Sequence, residues 1–169
     1  MTSLPARSAA DHAAFEGSVA PEARRLFGLA LTILGDRGEA EDAVQETMFS
    51  AWRTWSTLRE PSKLSAWLTR ICVNHCIHRR RGLVRRILWS SDQWLTATTA
   101  PPPTLDRRLA GFDRAFRRLS PHQRAVFTLH VHHGYTLDEC AGLIGCRPGT
   151  ARSHLGRAVA TLRKELADV

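Results

Sequence analysis

Apolar residues recur at helical spacing along most of the chain, and the alternating patterns typical of strands are scarce. In the first half, segments of this kind cover residues 21–34, 39–55 and 63–81, with GDRG after the first and Pro61 before the third. We therefore predict three helices there. The second helix should bury Ala40, Val44, Met48, Ala51, Trp52 and Trp55, and the third Leu64, Trp67, Leu68, Ile71 and Cys72.

The helical pattern resumes at Leu105, and the helices that follow carry explicit start and stop signals. Ser120 and Gln123 have the spacing of a capping box, in which each residue bonds a backbone N–H of the other. Thr136 and Glu139 repeat that spacing. The breaks between the helices are marked by Gly134, Gly145 and Pro148. Three helices joined by tight turns of this kind are typical of a helix-turn-helix.

The segment between the two halves, residues 82–104, has no sustained periodicity and ends in three prolines before Thr104. It reads as a linker that is partly extended. The predicted fold class is therefore all-α. Two small helical domains, residues 1–81 and 105–169, would be joined by a flexible linker.

The last helix has two contrasting faces. At 100° per residue, Ala151, Leu155, Ala158, Leu162 and Leu166 fall within one arc that should pack on the preceding helices. Small residues and Arg157 occupy the opposite face, and Arg152 and His154 lie on its two flanks. Small side chains allow close approach to a groove floor, where a long cation can reach base edges. The pattern favours a helix that binds duplex DNA over one that is merely solvated.

Charge is distributed unevenly along the 169 residues, although the net charge is +8. Residues 1–60 hold six basic and nine acidic side chains, whereas residues 61–169 hold 18 basic and seven acidic ones. An acidic front and a basic back indicate two different partners, one of them a polyanion. The sequence lacks a membrane span and the order of a signal peptide, so we expect a cytoplasmic protein with no membrane partner.

Two separate motifs resemble one protein family. The run GCRPGTARSHLGRA resembles region four of extracytoplasmic-function (ECF) sigma factors of bacterial RNA polymerase, in the sigma-70 family. Upstream, EAEDAVQETMFSAW resembles region two of the same family, and WLTRICVNHCIHRRR resembles the helix that follows it. The resemblance covers about residues 15–81 and 105–166 in the family's order. It implies a non-enzymatic subunit that directs promoter recognition, DNA melting and transcription initiation.

The resemblance also implies partners and sites. Core polymerase, through its β and β′ subunits, would bind the exposed stripe of Asp42, Gln45, Glu46 and Phe49. The loop at residues 56–63 would capture a base of the melted −10 element. Residues carried over to −10 DNA are Arg59, Lys63, Arg70, Asn74, Arg79, Arg80 and Arg81, and those carried over to −35 DNA are Arg147, Thr150, Arg152, Ser153, His154 and Arg157.

The chain departs from the family pattern at several positions. His154 stands where the family usually has Arg, and Gly156 stands at a position that is often bulky. Fewer long side chains would then reach the groove, which puts the −35 preference in doubt. The family often has an anti-sigma partner, and the sequence does not show whether this chain has one.

The cysteines and histidines allow a different kind of site. Cys72, His75 and Cys76 lie within one helical turn, a spacing that can bind zinc or sense oxidants. We instead expect reduced cysteines that pack as small apolar side chains, with no metal and no cofactor. The same expectation covers Cys140 and Cys146.

A stand-alone helix-turn-helix regulator of duplex DNA is the competing hypothesis, with residues 15–81 as a sensor or dimerisation domain. An enzyme is disfavoured because the sequence shows no nucleophile–base order, phosphate-binding loop or paired carboxylates.

Overall fold

The computed structural model describes residues 9–89 and 107–167, with side chains for residues 11–80 and 111–167. Over these ranges the chain is helical and contains no strand, as the sequence predicted. Contacts divide it into two compact units, with the boundary between Cys76 and Ile77. The principal helices are α1 (Ala9–Leu34), α2 (Arg37–Thr54), α3 (Leu64–Trp89), α4 (Arg107–Arg117), α5 (Pro121–Phe127), α6 (Leu137–Ile144) and α7 (Pro148–Ala167).

Helix α1 is longer than the predicted segment 21–34, because it begins twelve residues earlier and contains Pro21 in its interior. A proline removes one backbone hydrogen bond from a helix, so its presence favoured a start at that point. Tertiary packing outweighs this loss. Phe15 and Val19 are both buried, and the Phe15 ring meets the rings of Trp52 and Trp55 edge to face, each with centroids 5.2 Å apart.

Helix α2 follows α1 after a two-residue turn, with Asp36 as its N-cap accepting a hydrogen bond from the Glu39 backbone N–H at 2.8 Å. Its fully buried side chains are all small: Ala40, Ala43, Thr47 and Ala51, which we call the small-residue seam. The polar member, Thr47, donates its hydroxyl to the Ala43 carbonyl at 2.7 Å. Val44, Met48, Trp52 and Trp55, which were predicted to face inward, are only half-buried.

Two short 3₁₀ turns, Trp55–Thr57 and Pro61–Lys63, connect α2 to α3. Leu68 and Cys72 are fully buried as predicted, together with Val73 and Cys76. Leu64, Trp67 and Ile71 are half-buried.

Helix α3 runs on through residues 82–89, where the sequence predicts a partly extended linker without sustained periodicity. These eight residues are helical, so that expectation is wrong for them, while the linker boundary stays a prediction. Leu83, Val84, Ile87 and Leu88 keep helical spacing across Gly82, and a glycine costs a helix only about 1 kcal/mol. The rest of the predicted linker, residues 90–104, lies outside the described part of the chain.

The second unit contains the last part of α3, from Ile77, and helices α4 to α7. Its core combines α4, the turn that follows it, α5 and α7 through Ala115, Phe116, Leu119, Phe127, Ala158 and Leu162. A π-helical turn, Thr128–His132, extends α5. Both predicted capping boxes are present, at Ser120 with Gln123 and at Thr136 with Glu139. Gly134 and Gly145 have φ values of 71° and 72°, the left-handed conformation that lets the chain turn between helices.

Within the described ranges, no helix is both long and apolar enough to cross a bilayer.

Candidate polymerase and nucleic-acid interfaces

The four residues predicted to bind polymerase share an exposed face of α2. Asp42, Gln45, Glu46 and Phe49 are all exposed, and we call them the acidic stripe. Phe49 is 58% exposed, and the guanidinium carbon of Arg53 lies 5.7 Å from its ring centroid. An aromatic ring held in water beside carboxylates has the character of an interface anchor, because covering it would release ordered solvent.

His75 of α3 joins the acidic stripe to the rest of its unit. Its Nδ1 lies 3.4 Å from Oε2 of Glu46, and its Nε2 forms a 2.9 Å hydrogen bond with Oγ of Ser50. An imidazole with Nδ1–H toward the carboxylate can accept the serine hydroxyl at Nε2. The sequence placed His75 beside Cys72 and Cys76 on the same helix, whereas in the structure its ring nitrogens contact Glu46 and Ser50 of α2.

The neighbouring cysteines are core side chains. Cys72 and Cys76 are buried, and the Cys72 thiol donates to the Leu26 carbonyl at 3.8 Å. A hydrogen bond with Cys76 lowers the pKa of Cys72, and burial, which acts in the opposite direction, is the smaller effect. Burial raises the pKa of Cys140 to about 11. Among the described residues, no three His, Cys, Asp or Glu side chains converge as a metal site would require.

The loop predicted to capture a −10 base, residues 56–63, lies between α2 and α3 and includes both 3₁₀ turns. Arg59 is exposed. Lys63 is exposed as well, and its Nζ lies 2.9 Å from Oε1 of Glu60. An exposed pair of this kind is worth at most about 1 kcal/mol, so a phosphate could displace the carboxylate.

The predicted −10 contacts on α3 differ in accessibility. Arg70 is exposed, whereas Asn74, Arg79 and Arg80 are half-buried. Arg80 donates from Nη2 to the Arg117 carbonyl at 3.2 Å. Burial, followed by repulsion from Arg117, lowers its pKa. Arg80 is therefore already engaged within the protein, and the side chain of Arg81 lies outside the described set.

Helix α7 presents the predicted −35 face to solvent. Arg152, Ser153 and Arg157 are exposed along it, with Gly156 and Ala160 between them. Arg147 and Thr150 are exposed at its start, where the Arg147 carbonyl accepts bonds from the N–H groups of Thr150 and Ala151. A β-carbon built on Gly149 or Gly156 would meet no atom within 4 Å. The face is therefore open, and three arginines surround a shallow strip of small residues.

The buried face of α7 agrees with the predicted arc through Leu162 but not at its end. Ala151, Ala158 and Leu162 are buried and Leu155 is half-buried. Leu166 is 37% exposed, so its predicted inward position is wrong. It lies in the last turn of the helix, one turn beyond the core residue Leu162.

His154 is half-buried rather than freely exposed on the flank of α7. Its ring stacks on the ring of His122 of α5, with centroids 5.3 Å apart and planes 23° apart. Burial, and after it the charge of Arg157, lowers the pKa of His154. Sequence reasoning missed His122 because it lies 32 residues from its partner and belongs to a different helix.

Comparison with known families gives two matches in one chain. Residues 19–86 match the model of Sigma-70 region 2, and residues 109–162 match that of Sigma-70, region 4. The first match contains the acidic stripe and the loop at residues 56–63. The second contains the helix-turn-helix and the exposed face of α7.

Individual relatives extend over almost the entire chain. ECF RNA polymerase sigma factor SigL of Mycobacterium tuberculosis is 30% identical, covering 100% of this chain and 98% of its own length. SigM of the same species is 33% identical over 96% of this chain and 82% of its own length.

A solved structure of the sigma factor RpoE in complex with the anti-sigma factor NepR, from Bartonella quintana, superposes with a TM-score of 0.71. It is 27% identical and covers 90% of this chain and 96% of that chain. The models of regions 2 and 4 match in the order in which the family has them, and the relatives match nearly from end to end. This chain therefore belongs to the ECF group of the sigma-70 family and is an RNA polymerase sigma factor.

Proposed function

We propose that this sigma factor docks on core polymerase through the acidic stripe and reads its promoter through two separate DNA-binding surfaces. The observation that carries the proposal is the presence, in a single chain, of an exposed acidic and aromatic face on α2 and an exposed basic face on α7. Partners of opposite character fit these two faces. The alternative of a stand-alone regulator accounts for the basic face of α7 but requires residues 15–81 to serve as a sensor or dimerisation domain.

The acidic stripe fits the β′ subunit of core polymerase. Asp42 and Glu46 supply charge, and Phe49 supplies an apolar anchor on the same face. Charge complementarity sets approach and orientation, while the aromatic ring supplies most of the affinity. The contacts of His75 with Glu46 and Ser50 hold this part of α2 against α3, so the stripe is presented on a braced helix.

The loop at residues 56–63 and the exposed part of α3 fit the −10 element. Arg59 and Arg70 are exposed and suited to backbone phosphates, and Lys63 can exchange Glu60 for a phosphate. Arg79 and Asn74 are half-buried and can offer only part of their surface. Arg80 is better explained as a brace because its guanidinium bonds a backbone carbonyl.

The exposed face of α7 fits the major groove of the −35 element. Arg157 lies among the small residues and is the candidate for direct base readout, with guanine the favoured partner. Arg152 and Arg147 fit phosphates at the groove walls. Ser153 donates its hydroxyl to the Gly149 carbonyl at 2.9 Å, which leaves the oxygen free only to accept. Thr150 is an exposed hydroxyl near the start of the helix.

The remaining parts of the proposal concern partners and location. The structural relative RpoE is bound to an anti-sigma factor, which supports an anti-sigma partner for this chain as well. We further propose that it acts in the cytoplasm, without catalysis and without a cofactor. Residues 1–81 would form the polymerase and −10 domain, and residues 105–169 the −35 domain.

Run-off transcription with purified core polymerase tests the proposed function. The chain should direct specific transcripts from a genomic promoter library that core enzyme alone does not produce. Replacing Asp42 by Ala should reduce transcription by weakening association with core, and excess variant protein should restore part of it. Tight, selective duplex binding and repression by the chain without core polymerase would instead support the stand-alone regulator.

A further inference from the structure

The stacked imidazoles of His122 and His154 lie beside the proposed −35 surface. His154 is three residues before Arg157, which places it about 60° away around α7. Both imidazoles are half-buried, and their planes are 23° from parallel with centroids 5.3 Å apart. They form a single polar feature at the edge of the exposed face, where a groove-bound helix meets phosphates.

Two imidazoles this close cannot both carry a charge at low cost. Two unit charges about 5 Å apart repel each other appreciably even at the effective dielectric constant of a protein surface. The stacked pair therefore accepts one proton much more readily than two. One ring then carries the proton, and the other stays neutral and covers one face of it.

Burial, and after it a neighbouring charge, disfavours protonation of His154 while DNA is absent. Burial and the neighbouring Arg157 both lower the pKa of His154. Helices α4, α5 and α6 pack on α7, and of all the charged groups nearby Arg157 is the one that shifts the pKa of His154. Among the residues with described side chains, the other charged residues on those three helices are Asp113, Arg114, Arg117, Arg124, Asp138 and Glu139.

Resting on the DNA-binding function proposed for α7, we propose that His122 and His154 form a phosphate-contact pair that takes up one proton when the chain binds duplex DNA. His122 thereby becomes part of the DNA-binding surface, although it lies on α5. The ligand is the phosphodiester backbone, so the effect is independent of base sequence. An arginine at position 154 would carry a permanent charge, whereas the charge of the histidine pair depends on pH.

The direction of the pH dependence follows from the sign of the two shifts. Without DNA the pKa of His154 lies below its ordinary value, and nearby phosphates would raise it. Between the free and the bound value, binding takes up a proton, so affinity rises as pH falls through that window. Below the free value the pair is charged in both states and the affinity levels off. A difference of one unit corresponds to about a tenfold change in affinity.

The test uses the full chain and a fluorescein-labelled, random-sequence duplex of about 25 base pairs, at low and constant ionic strength. Fluorescence anisotropy gives the affinity from pH 5.5 to pH 8.5. The wild type should bind about tenfold more tightly at the acid end, and His154→Gln should remove most of that change. His154→Arg should keep the acid-end affinity up to pH 8.5. His122→Gln should move the midpoint to higher pH because His154 becomes more exposed to water.

A matched control removes an imidazole elsewhere. His12 of α1 is exposed and lies 3.1 Å from Glu16, so His12→Gln should leave the pH profile of DNA binding unchanged. Calorimetry in two buffers with different ionisation enthalpies counts the protons directly, and His154→Gln should lower the uptake at pH 6.5. Circular dichroism checks that the variants are folded. His154→Arg serves as the informative variant if His154→Gln is not folded.

The outcomes separate this inference from the proposed function. If Arg152→Ala weakens binding but His154→Gln keeps the wild-type pH profile and proton uptake, the histidine pair is not a phosphate contact and the DNA-binding role of α7 stands. The same conclusion follows if His154→Arg varies with pH as the wild type does. If the wild type does not bind the duplex at any pH, the histidine pair is not a phosphate contact, while run-off transcription still decides the proposed function. If Arg152→Ala binds unchanged, both proposals fail.

Discussion

Replacing Phe49 by Ala separates binding to polymerase from folding. Phe49 is 58% exposed in the free chain, and a phenylalanine buries about 150–250 Å² when fully covered. Covering the exposed part would therefore remove about 90–145 Å² from water. At about 25 cal/mol per Å² this is worth roughly 2.2–3.6 kcal/mol. Since 1.4 kcal/mol is a factor of ten, affinity for core polymerase should fall by about 40- to 400-fold.

The same substitution should barely change stability. A side chain exposed before and after folding contributes little to the free energy of unfolding. The contact that is lost lies between the ring and Arg53, with 5.7 Å between the guanidinium carbon and the ring centroid, and at an exposed site it is worth about 0.5–1 kcal/mol. Thermal and urea denaturation should therefore place Phe49→Ala within about 1 kcal/mol of the wild type.

Anisotropy of the labelled chain, titrated with core polymerase, measures the affinity. The 18.9 kDa chain tumbles far faster alone than in complex with core, so the change is large. Leu31→Ala is the matched control, because Leu31 is an exposed apolar side chain (37%) on α1, outside the acidic stripe. Affinity of Phe49→Ala within twofold of the wild type would show that the stripe is not the docking surface.

Three further predictions concern α7, α5 and α6. Arg157→Ala should relax selection at one base position of a randomised −35 library by about 1–3 kcal/mol, whereas Arg152→Ala should weaken all sequences and reduce the salt slope by about one. Ser120→Ala removes an N-cap and should lower the free energy of unfolding by about 1 kcal/mol in urea titrations. Hydrogen bonds from Thr136 lower the pKa of Glu139, so its stabilising effect is present above the unfolded pKa and disappears as pH falls through the folded one. Glu139→Gln should therefore be less stable than the wild type at pH 7 but not in strong acid.

Features decided by a few consecutive residues could be predicted from the sequence. The capping boxes at Ser120 and Thr136 need only a partner three residues away, and the structure confirms both. The early start of α1 could not be predicted, because it depends on Phe15 packing against tryptophans nearly forty residues later. Rules based on neighbouring residues take account only of the helix destabilisation that Pro21 causes.

The candidate sites follow the same division. Exposure of Arg152 and Arg157 could be predicted from the angular positions along α7. Spacing also placed the acidic stripe on one exposed face of α2. The stack of His154 on His122 and the contacts of His75 with Glu46 and Ser50 join different helices. No periodicity within one helix contains such information.

The small-residue seam of α2 gives this helix an asymmetric tolerance to mutation. A core leucine can lose volume or be exchanged for a methionine of similar size, whereas a fully buried alanine can change almost only by growing. At Ala40, Ala43 and Ala51, all 0% exposed, nearly every replacement adds atoms where there is no space, at about 1–3 kcal/mol for modest overpacking. The acidic stripe on the outer face of α2 carries no such constraint. Substitutions in α2 should therefore be tolerated mainly on its outer face. There, binding to the partner of the acidic stripe, and not folding, should determine which substitutions are accepted.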